Sequence, residues 1–296
     1  MSKLKTNKKP CTLRVVSLLH RLCDKRLTLL FLVVLTSCST TGVNLKNTAI
    51  KHDFVRQSIQ ASPFVLTAWV KQTDKEKPPH IYIEGDGRAF TNSGYTISRN
   101  PTPVKPPSGF KLAMADPHPH VIYIARPCQF TPIEQNPTCK NNKWWSSNRY
   151  DTTTLSAFNT ALDKVIPNNQ KVHLIGFSGG ATLALLAAAT RKDIASVRTV
   201  AGNIAPHAVN HFHRMQPTPF ALSPIKQIEK LKNIPQVHFT GGKDKVITPP
   251  ITRAYLNELP HARCTRHIQV QQASHSKGWI KKWPNLLKEE PTCIDG

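Results

Sequence analysis

Residues 171–190 read KVHLIGFSGGATLALLAAAT. Lys171–Ile175 has the short apolar pattern of a strand, and Gly179–Thr190 is an apolar, alanine- and leucine-rich helix. Between them Gly176-Phe177-Ser178-Gly179-Gly180 makes a turn of small residues. A serine there occupies a sharp, strained corner, and the flanking glycines relieve the crowding that side chains would cause. The turn lifts the hydroxyl to the carboxyl end of the sheet. The helix that follows points its N-terminus at the same spot, which favours negative charge there. Ser178 is therefore the candidate nucleophile.

Working outward, Phe64–Val70, His80–Glu84, Val121–Ala125, Ser196–Ala201, Gln236–Thr240 and His267–Val270 read as further strands. Helices are expected over Thr152–Val165, with Pro167 as the stop, over Thr252–Leu259, and over Gly278–Lys288, where Pro284 kinks or interrupts the helix. Glu84 runs into Gly85-Asp86-Gly87 and then a long loop rich in Pro, Ser and Gly. Short apolar strands alternating with helices predict an α/β fold, a mostly parallel sheet flanked by helices. Gly202–Pro235, with no clean strand and many Pro and His residues, reads as a small cap-like insertion above the sheet. There is no internal repeat and no linker to a second domain.

The segments IYIEGDG, ARPCQF, IGFSGG, VAGN and GGKDKVITP together resemble the α/β-hydrolase fold, and within it bacterial exported or lipoprotein hydrolases. The resemblance covers most of residues 64–290. It implies a serine hydrolase whose nucleophile, acid and histidine follow in that order along the chain. Asp244, in the loop after Gln236–Thr240, and His275, in the loop after Val270, stand where that order needs them. The serine needs a base and the base an orienting carboxylate. His261 and His267 compete poorly with His275, being before or at the start of the last strand. Asp193 and Glu229 do not follow a strand, and Asp295 lies beyond the histidine. The oxyanion hole needs two backbone N–H groups. Gly179 supplies one and Asp86 the other, in a turn similar to the family's His-Gly turn with Glu84 in place of the His. The Asp86 carboxylate must then turn away or be paired, with Arg88 and Arg126 as partners.

Residues 1–37 carry eight Lys/Arg and one acid, and Leu27–Leu35 (LTLLFLVVL) is an uncharged apolar run. A basic region, a short apolar region and small residues after it describe an export signal. The run is shorter than the roughly 20 apolar residues of a membrane span. Leu35-Thr36-Ser37-Cys38 resembles a bacterial lipobox, which implies a signal peptide over 1–37, lipidation of Cys38, a tether over 38–60 and the hydrolase domain over 61–296. An uncleaved signal anchor or an ordinary cleaved signal are the alternatives. Ser39 after the Cys favours, by resemblance, an outer-membrane lipoprotein facing the periplasm.

Of seven cysteines, Cys11 and Cys23 would leave with the signal and Cys38 would be lipidated. Cys128, Cys139, Cys264 and Cys293 remain, an even number in an export setting. Three pairings are open; Cys128–Cys139 with Cys264–Cys293 is preferred because each pair is near in sequence.

The net charge is +23, of which +16 lies beyond residue 37. That favours anionic surroundings. No helix-turn-helix, zinc-finger or RNP-like motif accompanies it, so no nucleic-acid partner is expected. His207, His211 and His213 fall close together but lack a carboxylate or cysteine nearby, and His118 and His120 flank a loop proline, so no metal site is expected. Trp144 and Trp145, beside Arg149 and Tyr150, line a cleft or pack on the surface. No dissociable cofactor is implied. The expected activity is an acyl-enzyme reaction on a small-molecule or lipid-derived ester, with a membrane lipid anchor. A peptidase or amidase with the same residues, or a silent hydrolase-fold binding module, are the other readings.

Overall fold

Eight segments rich in β-branched and aromatic residues pair into one sheet. The computed structural model describes residues 40–91, 96–103, 106–166, 170–259 and 263–294. The expected signal and Cys38 lie outside them. Helix α1 (Thr40–Ile50) leads into strands β1 (Val55–Ala61), β2 (Phe64–Gln72) and β3 (His80–Ile83). A two-stranded ribbon, β4 (Phe90–Thr91) with β5 (Thr96–Ile97), and helix α2 (Ser108–Met114) precede β6 (His120–Ile124). Then come α3 (Thr152–Val165), β7 (Val172–Phe177), α4 (Gly180–Thr190) and β8 (Ile194–Val200). Short helices α5 (Pro206–Phe212) and α6 (Ile228–Leu231) lead to β9 (Gln236–Gly241), α7 (Pro249–Asn257), β10 (Thr265–Val270) and α8 (Trp283–Leu286).

The main sheet has the order β1-β2-β6-β3-β7-β8-β9-β10. β1 and β2 pair antiparallel, β2 lies antiparallel to β6, and every pairing from β6 to β10 is parallel. Alternate residues feed two cores, as the period of two requires. Ile81, Ile83, Ile122, Ile124 and Leu174 face α3 and α4, against Phe158, Leu162 and Leu183. Tyr82, Val121, Tyr123 and Ile175 face the opposite core, with Phe110, Trp279 and Trp283. A parallel sheet must be covered on both faces, and this one is. Helix α4 is buried from Gly180 through Ala189, which is why it has no polar face.

Several expectations need correction. The reading of 38–60 as a tether fails over its described part: Val55–Ala61 pairs residue for residue with β2 as the edge of the sheet. Leu45, Ala49 and Phe54 are buried in the second core. The domain therefore starts near α1, before residue 61. The edge position explains why the sequence hid β1, since Val55–Ser58 are all exposed. The helix expected over Gly278–Lys288 shrinks to α8, with Pro284 inside its first turn; proline is tolerated there, so it begins the helix instead of interrupting it. The long loop after β3 holds α2, whose Gly109, Phe110, Leu112 and Ala113 are buried. Gly202–Pro235 contains no strand and carries α5, a 3₁₀ turn and α6. Cys128 is bonded to Cys139 and Cys264 to Cys293, the preferred pairing.

Candidate active site

Strand β7 delivers Ser178 at its carboxyl end with φ of 49°. That left-handed conformation costs a non-glycine residue roughly 1–3 kcal/mol and persists only where the surroundings enforce it. They do so here through the backbone. Ser178 N–H donates to Val200 O (3.1 Å), and Ser178 O accepts from Ala181 N (3.0 Å) and Asn203 N (2.8 Å). The glycines are steric requirements. A Cβ at Gly176 would run into the Ala181 backbone, and one at Gly179 would meet the Asp86 carboxylate and the Tyr150 hydroxyl.

The loops after β9 and β10 bring the other two side chains to the serine. His275 Nε2 lies 2.9 Å from Ser178 Oγ, and His275 Nδ1 lies 3.0 Å from Asp244 Oδ2. Asp244 Oδ1 accepts from Val246 N (2.7 Å) and Ile247 N (2.9 Å), which fixes the carboxylate and leaves Oδ2 for the imidazole. The Asp244 side chain is fully buried, while that of His275 keeps 22% of its surface open. Lys243 N–H donates to Ala273 O, tying the two loops together. Trp279 Nε1 donates to Ser274 O and His275 O, holding the histidine loop from behind.

The rivals go elsewhere. His267 lies in β10, with Nε2 2.7 Å from Thr240 Oγ1. Asp193 pairs with Arg191, and Glu229 with Lys232. His261 and Asp295 lie outside the described residues. His213 bonds the Val246 carbonyl through Nε2. Among the described residues no group of His, Cys, Asp and Glu is arranged to hold a metal ion.

The N–H groups of Gly179 and Asp86 have no hydrogen-bond acceptor among the described residues, whereas the neighbouring Gly85 N–H donates to Glu84 Oε1. The Asp86 carboxylate is paired, and by more than the sequence indicates. Arg126 Nη1 donates to Oδ1 (2.9 Å), Arg149 Nε lies 3.3 Å from Oδ2, and the Tyr150 hydroxyl donates at 2.7 and 2.9 Å. Arg88 takes no part among the described contacts. Burial, and then the Asp86 charge, push the Tyr150 phenol up to about 12, so it remains a donor. Both guanidinium groups stack on the Tyr150 ring, 5.1 Å from its centroid. Two buried cations share one carboxylate, leaving an excess positive charge beside Gly179.

Glu84 closes this turn from inside. It is fully buried, and burial pushes its carboxyl up to about 7 against donated bonds from Gly85, Tyr123, Phe110 and Gly109. Trp145 is buried and donates to Ser98 O, while Trp144 packs edge-on to Phe64. Both line a small cavity with Asp86, Arg126, Gln129 and Arg149. Arg149 and Tyr150 were not legible as partners of the Asp86 carboxylate; the Arg-Tyr pair before α3 was the only signal.

Residues 101–275 match the family model "Serine hydrolase (FSH1)". The chain belongs to this serine hydrolase family. No curated protein matches its sequence. Among solved structures, the hydrolase is similar to the acylaminoacyl peptidase of Pyrococcus horikoshii at 9% identity and TM-score 0.59, over 82% of this chain and 42% of that one. It thus spans less than half of that peptidase's length. The Pyrococcus furiosus esterase Pf2001 matches at 12% identity and TM-score 0.55, over 82% of this chain and 90% of its own. Est1E from Butyrivibrio proteoclasticus matches at 12% identity and TM-score 0.53, over 79% and 96%. These likenesses show the α/β-hydrolase fold.

Proposed function

We propose that the hydrolase is an esterase of the bacterial envelope in which Ser178, His275 and Asp244 act together. The 2.9 Å approach of His275 Nε2 to Ser178 Oγ carries the reading. Ser178 Oγ attacks the ester carbonyl as His275 Nε2 takes its proton. Asp244 holds the imidazole with Nδ1–H directed at Oδ2 and stabilises the imidazolium that forms. The carbonyl oxygen, now anionic, sits against the free N–H groups of Gly179 and Asp86. His275 returns the proton to the leaving alkoxide, and the acyl-enzyme is then hydrolysed by water with His275 again as base.

Esterases of this fold that match over 90% and 96% of their own lengths support the ester reading. The envelope part rests on the basic and apolar segments before Cys38 and on two disulfides, which persist in oxidising compartments. In this reading residues 1–37 are removed and a lipidated Cys38 anchors the protein.

A series of p-nitrophenyl esters of increasing chain length, run beside the matching anilides, tests the chemistry. Ester turnover that disappears in Ser178→Ala is expected; anilide turnover at or above the ester rate would overturn the ester assignment. Labelled palmitate should enter the full chain and be absent from Cys38→Ala; equal labelling of both would remove the anchor.

A further inference from the structure

We propose that the mouth of the active site is itself a docking surface for an anionic lipid bilayer, separate from any anchor at the N-terminus. The topology collects the surface. β7, β8, β9 and β10 run parallel, so the segments that follow them all emerge at the edge where Ser178 stands. Three of these segments, residues 202–223, 241–248 and 271–282, begin at that end, the first tied to it by Asn203 N–H donating to Ser178 O and Leu222 N–H donating to Tyr150 O.

Their exposed apolar groups are large. Phe212 is 53% exposed, Phe220 65% and Val246 44%. Val246 is held to the catalytic acid, its N–H donating to Asp244, and its carbonyl is bonded by His213, the neighbour of Phe212. Phe220 stands two residues before Leu222, whose N–H donates to Tyr150 O in the oxyanion cluster. Large apolar side chains exposed on the segments at the mouth of a site mark an interaction surface more than solvated packing.

The charge identifies the partner. The three segments contain six Lys/Arg and one acid. That acid, Asp244, is buried against His275. Arg214, Lys243, Lys245 and Lys277 are exposed, with no ion pair among the described residues. Apolar side chains that enter the headgroup boundary, flanked by cations, are what binds an anionic bilayer. A polyanion such as nucleic acid would use the charge and leave the phenylalanines in water.

Residues 39–296 form one compact unit containing the whole sheet and both disulfides, so this fragment is the one to test, free of the N-terminal apolar run. Its Ser178→Ala form would be mixed with vesicles of phosphatidylcholine, with and without phosphatidylglycerol, and bound protein measured by sedimentation. This reads docking apart from chemistry, so a failed esterase assignment leaves the result interpretable. The expected result is binding to the anionic vesicles, about tenfold weaker in Phe212→Ser/Phe220→Ser and also weaker in Lys243→Glu/Lys245→Glu. Lys171→Glu/Lys192→Glu, at the opposite end of the strands, should bind like the parent. Absence of binding would overturn the proposal. So would binding that ignores the phenylalanines, the mark of a general polyanion site, or equal loss from reversal at the opposite end, the mark of diffuse charge.

Discussion

The two ends of the parallel sheet are both polar, and they are built differently. β3 and β7 each span the contrast. At its carboxyl end β3 leads to Glu84 and Asp86, and β7 leads to Ser178. At their amino ends stand His80 and His173. His80 bonds Asp116 (2.7 Å), stacks on His118 and meets His173 edge-on, and His173 bonds Ser196. Tyr82 also donates to Asp116 and accepts from Trp283. These groups are closed on one another. At the carboxyl end Ser178 is held in a strained conformation, two N–H groups have no acceptor among the described residues, and two arginines share one carboxylate. A polar cluster with its bonds completed is structure; one with strain and open donors is prepared for a partner.

The largest effects should come from breaking the carboxyl end. Ser178→Ala should lower ester kcat by about ten-thousand-fold or more, with the fold intact. Asp244→Asn keeps the shape but favours the wrong imidazole tautomer, and should cost about a thousand- to ten-thousand-fold in kcat. Asp86→Asn removes the charge that two buried guanidiniums share. It should lower unfolding free energy by about 3 kcal/mol in urea titrations, and it should reduce kcat more than it changes KM, because the turn positions an oxyanion donor.

The smaller effects sharpen the contrast through pH. Burial lowers His173 to about 4, with the nearby His80 charge adding to it. The folded state therefore keeps His173 neutral while the unfolded chain takes a proton, and this contribution to stability is lost as pH falls from about 6.5 towards 4. Glu84 has the opposite sign. Its carboxyl is raised to about 7, so its stabilising contribution is full below about 4.5 and is lost as pH rises through 7. The two slopes oppose each other between about pH 4.5 and 6.5, so across that window denaturant midpoints should fall with rising pH in His173→Gln and rise with it in Glu84→Gln.

How much of this was legible follows from distance along the chain. The strand, turn and helix around Ser178 are contiguous, so local pattern suffices. Asp244 and His275 each follow a recognisable strand, and fold order completes the set. The partners of Asp86 lie 40, 63 and 64 residues away at Arg126, Arg149 and Tyr150, and no periodicity links them. β1 escaped because an edge strand with an exposed face lacks the apolar signal of a central strand. Helix α2 escaped because seven residues among prolines give less than two turns of pattern.

The central claim is that Ser178 is the activated nucleophile. Residues 39–296 treated with a fluorophosphonate, digested and mapped by mass spectrometry should carry a single adduct on the peptide containing Ser178, absent in Asp244→Asn and His275→Ala under the same brief exposure. An adduct on a different serine, or a folded protein that takes up no probe, would contradict it.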